Sequence, residues 1–217
     1  MLDDIVKGAI RVLKEQGGRR FTTIRVAEEA GISVGSLYQY FPNKESILFQ
    51  VQQQEWAETS GTLISMIEDR RYSPSVRLRR TVKAFFDSEW EETSLRKALA
   101  ETGVNLDNTK QFIEMKSIVF STMSDFIAEA VPAIPPGRRR FTAEFVFTTM
   151  SSLAEEVTNQ ARSRSEIKQW ASHCATMLLL FLSKTPEPLQ KESESTRIDA
   201  VMTPRDVSVR ADQPKHS

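Results

Sequence analysis

Ser36, Tyr38, Gln39 and Tyr40 crowd into one short stretch beside Val34 and Gly35. Their chemistry is hydrogen bonding, not bond breaking. The hydroxyls of Ser36, Tyr38 and Tyr40 can bind phosphate oxygens, and a helix N-terminus beside them favours the same group. The Gln39 amide carries the donor and acceptor that match an adenine edge. Gly35 removes side-chain bulk, so a nucleic-acid backbone can come close. Nothing comparable points to catalysis. The chain has no Ser-His-Asp arrangement, glycine-rich phosphate loop or nucleotide motif. The two histidines, His173 and His216, are too scattered for a metal site. His173 and Cys174 are helix neighbours and do not share a face. No enzyme activity, metal or cofactor is expected.

Those residues need a rigid mount, and the flanking sequence describes one. Ile5, Val6, Ala9, Ile10 and Leu13 form one face of a first helix that stops at Gly17-Gly18. Thr22 or Thr23 can cap a second helix carrying Val26, Ala27 and Ala30, which stops at Gly31. Gly31-Ile32-Ser33 reads as a tight turn, with glycine at a left-handed position and Ile32 plugging the angle between helices. Ser33 can cap a third helix over Val34 to Tyr40, which turns Leu37 inward and ends before Pro42. Two short helices joined in this way form a helix-turn-helix, whose second helix enters the major groove. Phe41 reads as core. Asn43 can cap a fourth, long helix, with Gly61 expected to interrupt or bend it.

The run from Ser33 to Glu45, Ser-Val-Gly-Ser-Leu-Tyr-Gln-Tyr-Phe-Pro-Asn-Lys-Glu, closely resembles the tetracycline-repressor (TetR/AcrR) family of bacterial regulators. The resemblance covers roughly Ile5 to Val51. It implies that Thr22 and Thr23 contact phosphate, with Ile24 and Arg25 close to the groove. Val34, Gly35 and Ser36 take base- or backbone-facing positions. Tyr38, Tyr40 and Lys44 match phosphate-contacting groups. Two departures stand out. Members often carry a basic arm before the first helix, which here begins almost at Met1; either no arm contributes or the start is truncated. Some members also read guanine with an arginine where this chain has Ile24. Charge supports the placement weakly. Residues 1–50 hold seven Lys/Arg and six Asp/Glu, and the whole chain has a formal net charge of zero.

Downstream the helical periodicity continues, without sustained two-residue alternation. Ser73-Pro74 opens a helix running to Trp90. Further helices are expected over about Ser94–Thr102, Asn108–Val131, Arg138–Arg162 and Ser165–Lys184. Phe85, Phe86, Trp90, Phe112, Met115, Phe120, Met123 and Phe147 read individually as ordinary core. The resemblance implies that some of them line an apolar effector pocket, to which Glu89 or Asn105 would add a polar group. The last two helices carry apolar stripes bordered by small residues. Phe145, Thr149 and Ser152 lie on the first, and Trp170, Cys174, Met177, Leu178 and Phe181 on the second. Such a pair from each of two subunits suits a four-helix dimer interface. Arg138-Arg139-Arg140 reads as a solvated helix start.

The expected architecture is all-α. A three-helix helix-turn-helix DNA-binding domain (1–50) is followed by a larger helical ligand-binding and dimerisation domain (51–184). Residues 185–217 hold four of the nine prolines, no aromatic residue and many charges, the composition of a disordered tail. One cysteine rules out an intramolecular disulfide, and the longest apolar run, Met177 to Leu182, is too short to span a bilayer. With no signal peptide recognisable, a soluble, cytoplasmic protein is expected. The expected function is a homodimeric repressor that binds a palindromic operator and is released by a small hydrophobic effector. The alternatives are an activator, or a helical interaction protein that keeps the helix-turn-helix scaffold.

Overall fold

A computed structural model of the chain describes residues 1–104, 109–160 and 162–184. The expected tail (185–217), Asn105 and Asn108 lie outside the described residues. The helices are α1 (Leu2–Gln16), α2 (Thr23–Ala30), α3 (Val34–Tyr40), α4 (Lys44–Glu68), α5 (Pro74–Glu91), α6 (Thr93–Glu101), α7 (Lys110–Ala130), α8 (Pro136–Asn159) and α9 (Arg164–Lys184). A 3₁₀ turn, Gly18–Arg20, joins α1 to α2.

Side chains set the helix starts as the sequence suggests. The Thr22 hydroxyl accepts from the Arg25 amide, and Ser33 Oγ accepts from the Ser36 amide. Asn43 and Ser46 form a reciprocal capping box. Each cap satisfies an amide that the helix itself leaves open. Gly31 ends α2 at φ 69, in the left-handed region that favours glycine. At Ser73 the cap differs, because its hydroxyl faces Ser75 Oγ and no side-chain cap forms. Gly61 does not interrupt α4, which runs as one helix. Continuous packing against α5 and α7 outweighs a glycine penalty of about 1 kcal/mol.

Two apolar cores result. The first gathers Ile5, Ala9, Leu13, Val26, Leu37, Phe41 and Ile47 around α1 to α3. Leu37 is fully buried there, worth about 2 kcal/mol, and this burial fixes which face of α3 looks outward. The second core gathers Leu78, Phe86, Ile127, Val146, Met150, Cys174 and Leu178.

α4 belongs to both cores, and α6 joins the first from far along the chain. α4 contributes Ile47, Leu48 and Val51 to the first and Ile67 to the second. The expected boundary between residues 50 and 51 therefore lies within a continuous helix. α6 sends Leu95 and Ala98 into the first core. Glu101 Oε2 accepts the Gly18 amide at 3.0 Å. A Cβ on Gly18 would sit 1.9 Å from the Ala98 carbonyl oxygen, so the contact requires glycine. At the far end of α4, the buried Arg77 donates to the Ile67 carbonyl at 2.8 Å and pairs with Glu129. A carbonyl that the helix end leaves open is thereby satisfied.

Candidate functional site

Three surfaces carry chemistry. The first lies on α2, α3 and the start of α4. None of Thr22, Thr23, Arg25, Val34, Gly35, Ser36, Tyr38, Gln39, Tyr40 and Lys44 is buried. Tyr38 is 49% exposed, Tyr40 44% and Ile24 55%, high values for large side chains without a partner segment over them. Thr23 Oγ1 and Tyr38 Oη lie 3.2 Å apart, so the start of α2 and the middle of α3 share one hydroxyl-lined surface. Ser36 Oγ is 2.8 Å from Ser33 Oγ, which leaves it part of its hydrogen-bonding capacity. Arg25 is held by Gln16 at 2.6 Å. Glu29 of α2 is neutralised by Arg11 at 2.5 Å. Phe41 is buried, as expected for a core aromatic.

The second surface is a cavity of about 390 Å³ between α4, α5, α7 and α8. Of the eight expected pocket residues, Phe85 and Phe147 line it. The other positions correct the expectation. Phe86 and Met123 are buried in the second core, and Phe112 is buried with its ring edge-on to Phe49 and Trp56. Phe120 packs edge-on against Phe147 at 5.2 Å but borders a different hollow. Trp90 and Met115 are half-buried outside the lining, and the Trp90 indole donates to the Arg162 carbonyl at 3.3 Å. Helical periodicity separates inside from outside. It does not say which inward residues border a void.

The polar lining was largely missed by the sequence reading. Besides the expected Glu89, the cavity has Glu55, Glu92, Glu155, Arg96 and Lys116, with Trp56 as a further aromatic wall. An adjoining cavity of about 470 Å³ shares Glu55, Trp56, Glu89, Glu92 and Arg96. Glu89, Glu92 and Arg96 follow at helical spacing, a signal available in the sequence. Burial raises the Glu89 carboxyl above its ordinary range, against the pull of Arg96, with which it pairs. Burial likewise raises Glu92 and Glu55, and their mutual repulsion adds to the rise at Glu55. Thr59 donates to Glu92 Oε1 at 3.2 Å and Ser88 at 3.3 Å. Arg96 also donates to Thr158 Oγ1 at 2.9 Å, bridging α5, α6 and α8.

The third surface is the outer face of α8 and α9. Phe145 and Met177 are exposed, as are Phe141 at 65% and Leu180 at 62%. Phe145 stacks on Phe181 at 4.6 Å. Ser152 is exposed and Thr149 half-buried on the same helix. Cys174 and Leu178 face the other way, into the core, so their expected place on the outer stripe is corrected. Burial pushes the Cys174 thiol up to about 11, which keeps it un-ionised. Trp170 is half-buried, with the Arg162 guanidinium 5.1 Å from its ring centre. α9 is apolar on two faces, and its sequence pattern alone does not choose between them.

Among the described residues, no helix is long and apolar enough to cross a membrane. Residues 5–51 match the family model for bacterial regulatory proteins of the tetR family. Residues 73–185 match the model for a tetracyclin repressor-like C-terminal domain. A fatty acid metabolism regulator protein of Bacillus subtilis is 32% identical over 65 residues, which are 30% of this chain and 31% of that protein. The HTH-type transcriptional regulator HbdR of an Aromatoleum species is 42% identical over 45 residues, 21% of this chain and 20% of that protein. The chain thus spans less than a third of the length of these curated relatives. Among solved structures, the regulator FadR from Bacillus subtilis in complex with stearoyl-CoA superposes with a TM-score of 0.64. That superposition covers 85% of this chain and 99% of the other at 18% identity, a likeness of fold. The C-terminal match spans more than half of the chain, and with the helix-turn-helix match it shows that the chain belongs to the TetR family of transcriptional regulators.

Proposed function

We propose that this regulator is a ligand-responsive repressor that binds a pseudo-palindromic operator as a homodimer. The observation that carries the reading is the exposed, hydroxyl-lined face of α2 and α3, with Thr23 and Tyr38 in contact and Leu37 locked beneath. α3 enters the major groove. Val34, Gly35, Ser36 and Gln39 meet base edges or the backbone beside them, while Thr22, Thr23, Tyr38, Tyr40 and Lys44 hold phosphates. Arg25 lies at the margin of this face. The outer faces of α8 and α9 pair across a two-fold axis, which covers Phe141, Phe145, Met177 and Leu180 and sets the spacing of two reading heads.

The effector occupies the cavity between α4, α5, α7 and α8. Its signal reaches the reading head through α6, which donates Arg96 to the cavity wall and packs Leu95, Ala98 and Glu101 against the first core and Gly18. A ligand that prefers one position of α6 shifts the population of DNA-competent dimers by its difference in affinity. A coupling of about 1–3 kcal/mol lowers operator affinity roughly five- to 150-fold. The stearoyl-CoA complex of a protein with the same fold supports a helical half that holds a small molecule. The setting is the bacterial cytoplasm, where the operator lies.

Selection of binding sites from a random DNA pool by the purified protein tests this reading. An enriched inverted repeat is the expected result. A pool that stays unenriched, or a single unrepeated half-site, contradicts the dimeric DNA-reading assignment.

A further inference from the structure

The cavity between α4, α5, α7 and α8 is unbalanced in charge. Four carboxylates line it, Glu55, Glu89, Glu92 and Glu155, against two cations, Arg96 and Lys116. Arg96 is already committed to Glu89 and Thr158. Glu92 is held by the hydroxyls of Thr59 and Ser88, which are neutral donors. Arg96 and Lys14 pull on Glu92, and Lys14 on Glu55, by less than burial raises them, and the remaining cost is recovered when a cation arrives.

The walls suit the rest of such a ligand. Trp56, Phe85 and Phe147 line the same cavity as the carboxylates. Aromatic faces attract cations by their quadrupole and cover apolar bodies by area. The volume falls within the range of drug-sized ligand sites. The site also contains a stand-in of its own, because the Arg96 guanidinium sits among these carboxylates, paired with one of them. An anion would meet the opposite field.

We propose that the effector is an organic cation with an aromatic or aliphatic body, held between the aromatic walls by Glu55, Glu92 and Glu155, and competing with Arg96 for Glu89. This rests on the reading of the helical half as an effector domain. It differs in ligand charge from the stearoyl-CoA bound by the solved relative, and it gives α6 a direct cause to move. A cation that takes the place of Arg96 at Glu89 removes one of the bonds that fix α6 to α5.

Titration calorimetry on the full-length protein, with two isosteric ions of opposite charge and one acyl-CoA, tests it. The probes are tetraphenylphosphonium, tetraphenylborate and stearoyl-CoA. Tetraphenylphosphonium is expected to bind at least about tenfold more tightly than tetraphenylborate, given like and unlike charges within a few ångströms. Glu55→Gln and Glu92→Gln should each weaken it by about three- to fivefold, the weight of one partly screened charge contact. Arg96→Gln should tighten it, a change of opposite sign that loss of structure does not produce. The cation should also release operator DNA. If tetraphenylborate or stearoyl-CoA binds as well as the cation or better, the charge assignment is overturned while the effector reading stands. If none of the three binds a protein that still binds DNA, both fall.

Discussion

At Gly35 an added Cβ would meet only Ser33 Oγ, at 3.8 Å, an ordinary contact. The fold therefore has no steric need for glycine there, and in a helix glycine is less stable than alanine by up to about 1 kcal/mol. A surface that gives up that stability is best explained by what approaches it from outside. Gly35→Ala should leave the melting temperature unchanged or slightly raised while weakening operator binding by about tenfold, the scale of one lost close contact. Retained affinity, checked by fluorescence anisotropy, would remove Gly35 from the reading surface. At this scale the sequence was legible where one residue does one local job. Thr22, Ser33 and Asn43 cap helices as their types and positions suggest, and Leu37 and Phe41 are buried as the spacing requires. It was not legible at Phe86, Met123 and Phe112, where inward direction was clear but bordering a cavity depended on distant helices.

Elements carry the next layer of meaning. α9 packs Ile167, Ala171, Cys174, Leu178 and Leu182 inward and leaves Met177 and Leu180 outside. One wide apolar stripe in sequence is thus two faces in space, one packed into the core and one exposed, which the proposed dimer would cover. α8 adds Phe141 and Phe145 to the outer face. Phe145→Glu places a charge on it and gives up the ring contact with Phe181, while position 145 itself is exposed. The expected outcome is a monomer at micromolar concentration, with helical content retained, by sedimentation velocity and circular dichroism. An unchanged dimer would move the interface elsewhere, and a monomeric wild-type protein would remove it. The helix limits themselves were read to within a few residues. α4 was the exception, because Gly61 suggested a bend that packing on α5 and α7 suppresses.

For the molecule as a whole, the two cores are not separable modules in sequence order. α4 runs through both, and α6, far along the chain, completes the first. The helix-turn-helix was legible because a continuous run of residues forms it. The joint was not, because the contacts of Gly18 with Glu101 and Ala98 link residues far apart in the chain. The charged cavity lining is likewise assembled from five helices, α4 to α8, so its excess of carboxylates became visible only in the fold. On the proposed function, these contacts are the physical route from the cavity to the face of α2 and α3. Everything in that route depends on α3 reading DNA, and this can be measured directly. Equilibrium binding to the selected operator and to a scrambled duplex, over a range of salt, should be compared for wild type, Tyr38→Phe, Lys44→Ala and Gln39→Ala. The phosphate variants should weaken binding to both duplexes, and Lys44→Ala should flatten the log–log salt slope by about 0.9 per lost contact. Gln39→Ala should instead narrow the preference for the operator. Unchanged affinity, slope and preference in all three variants would contradict the account.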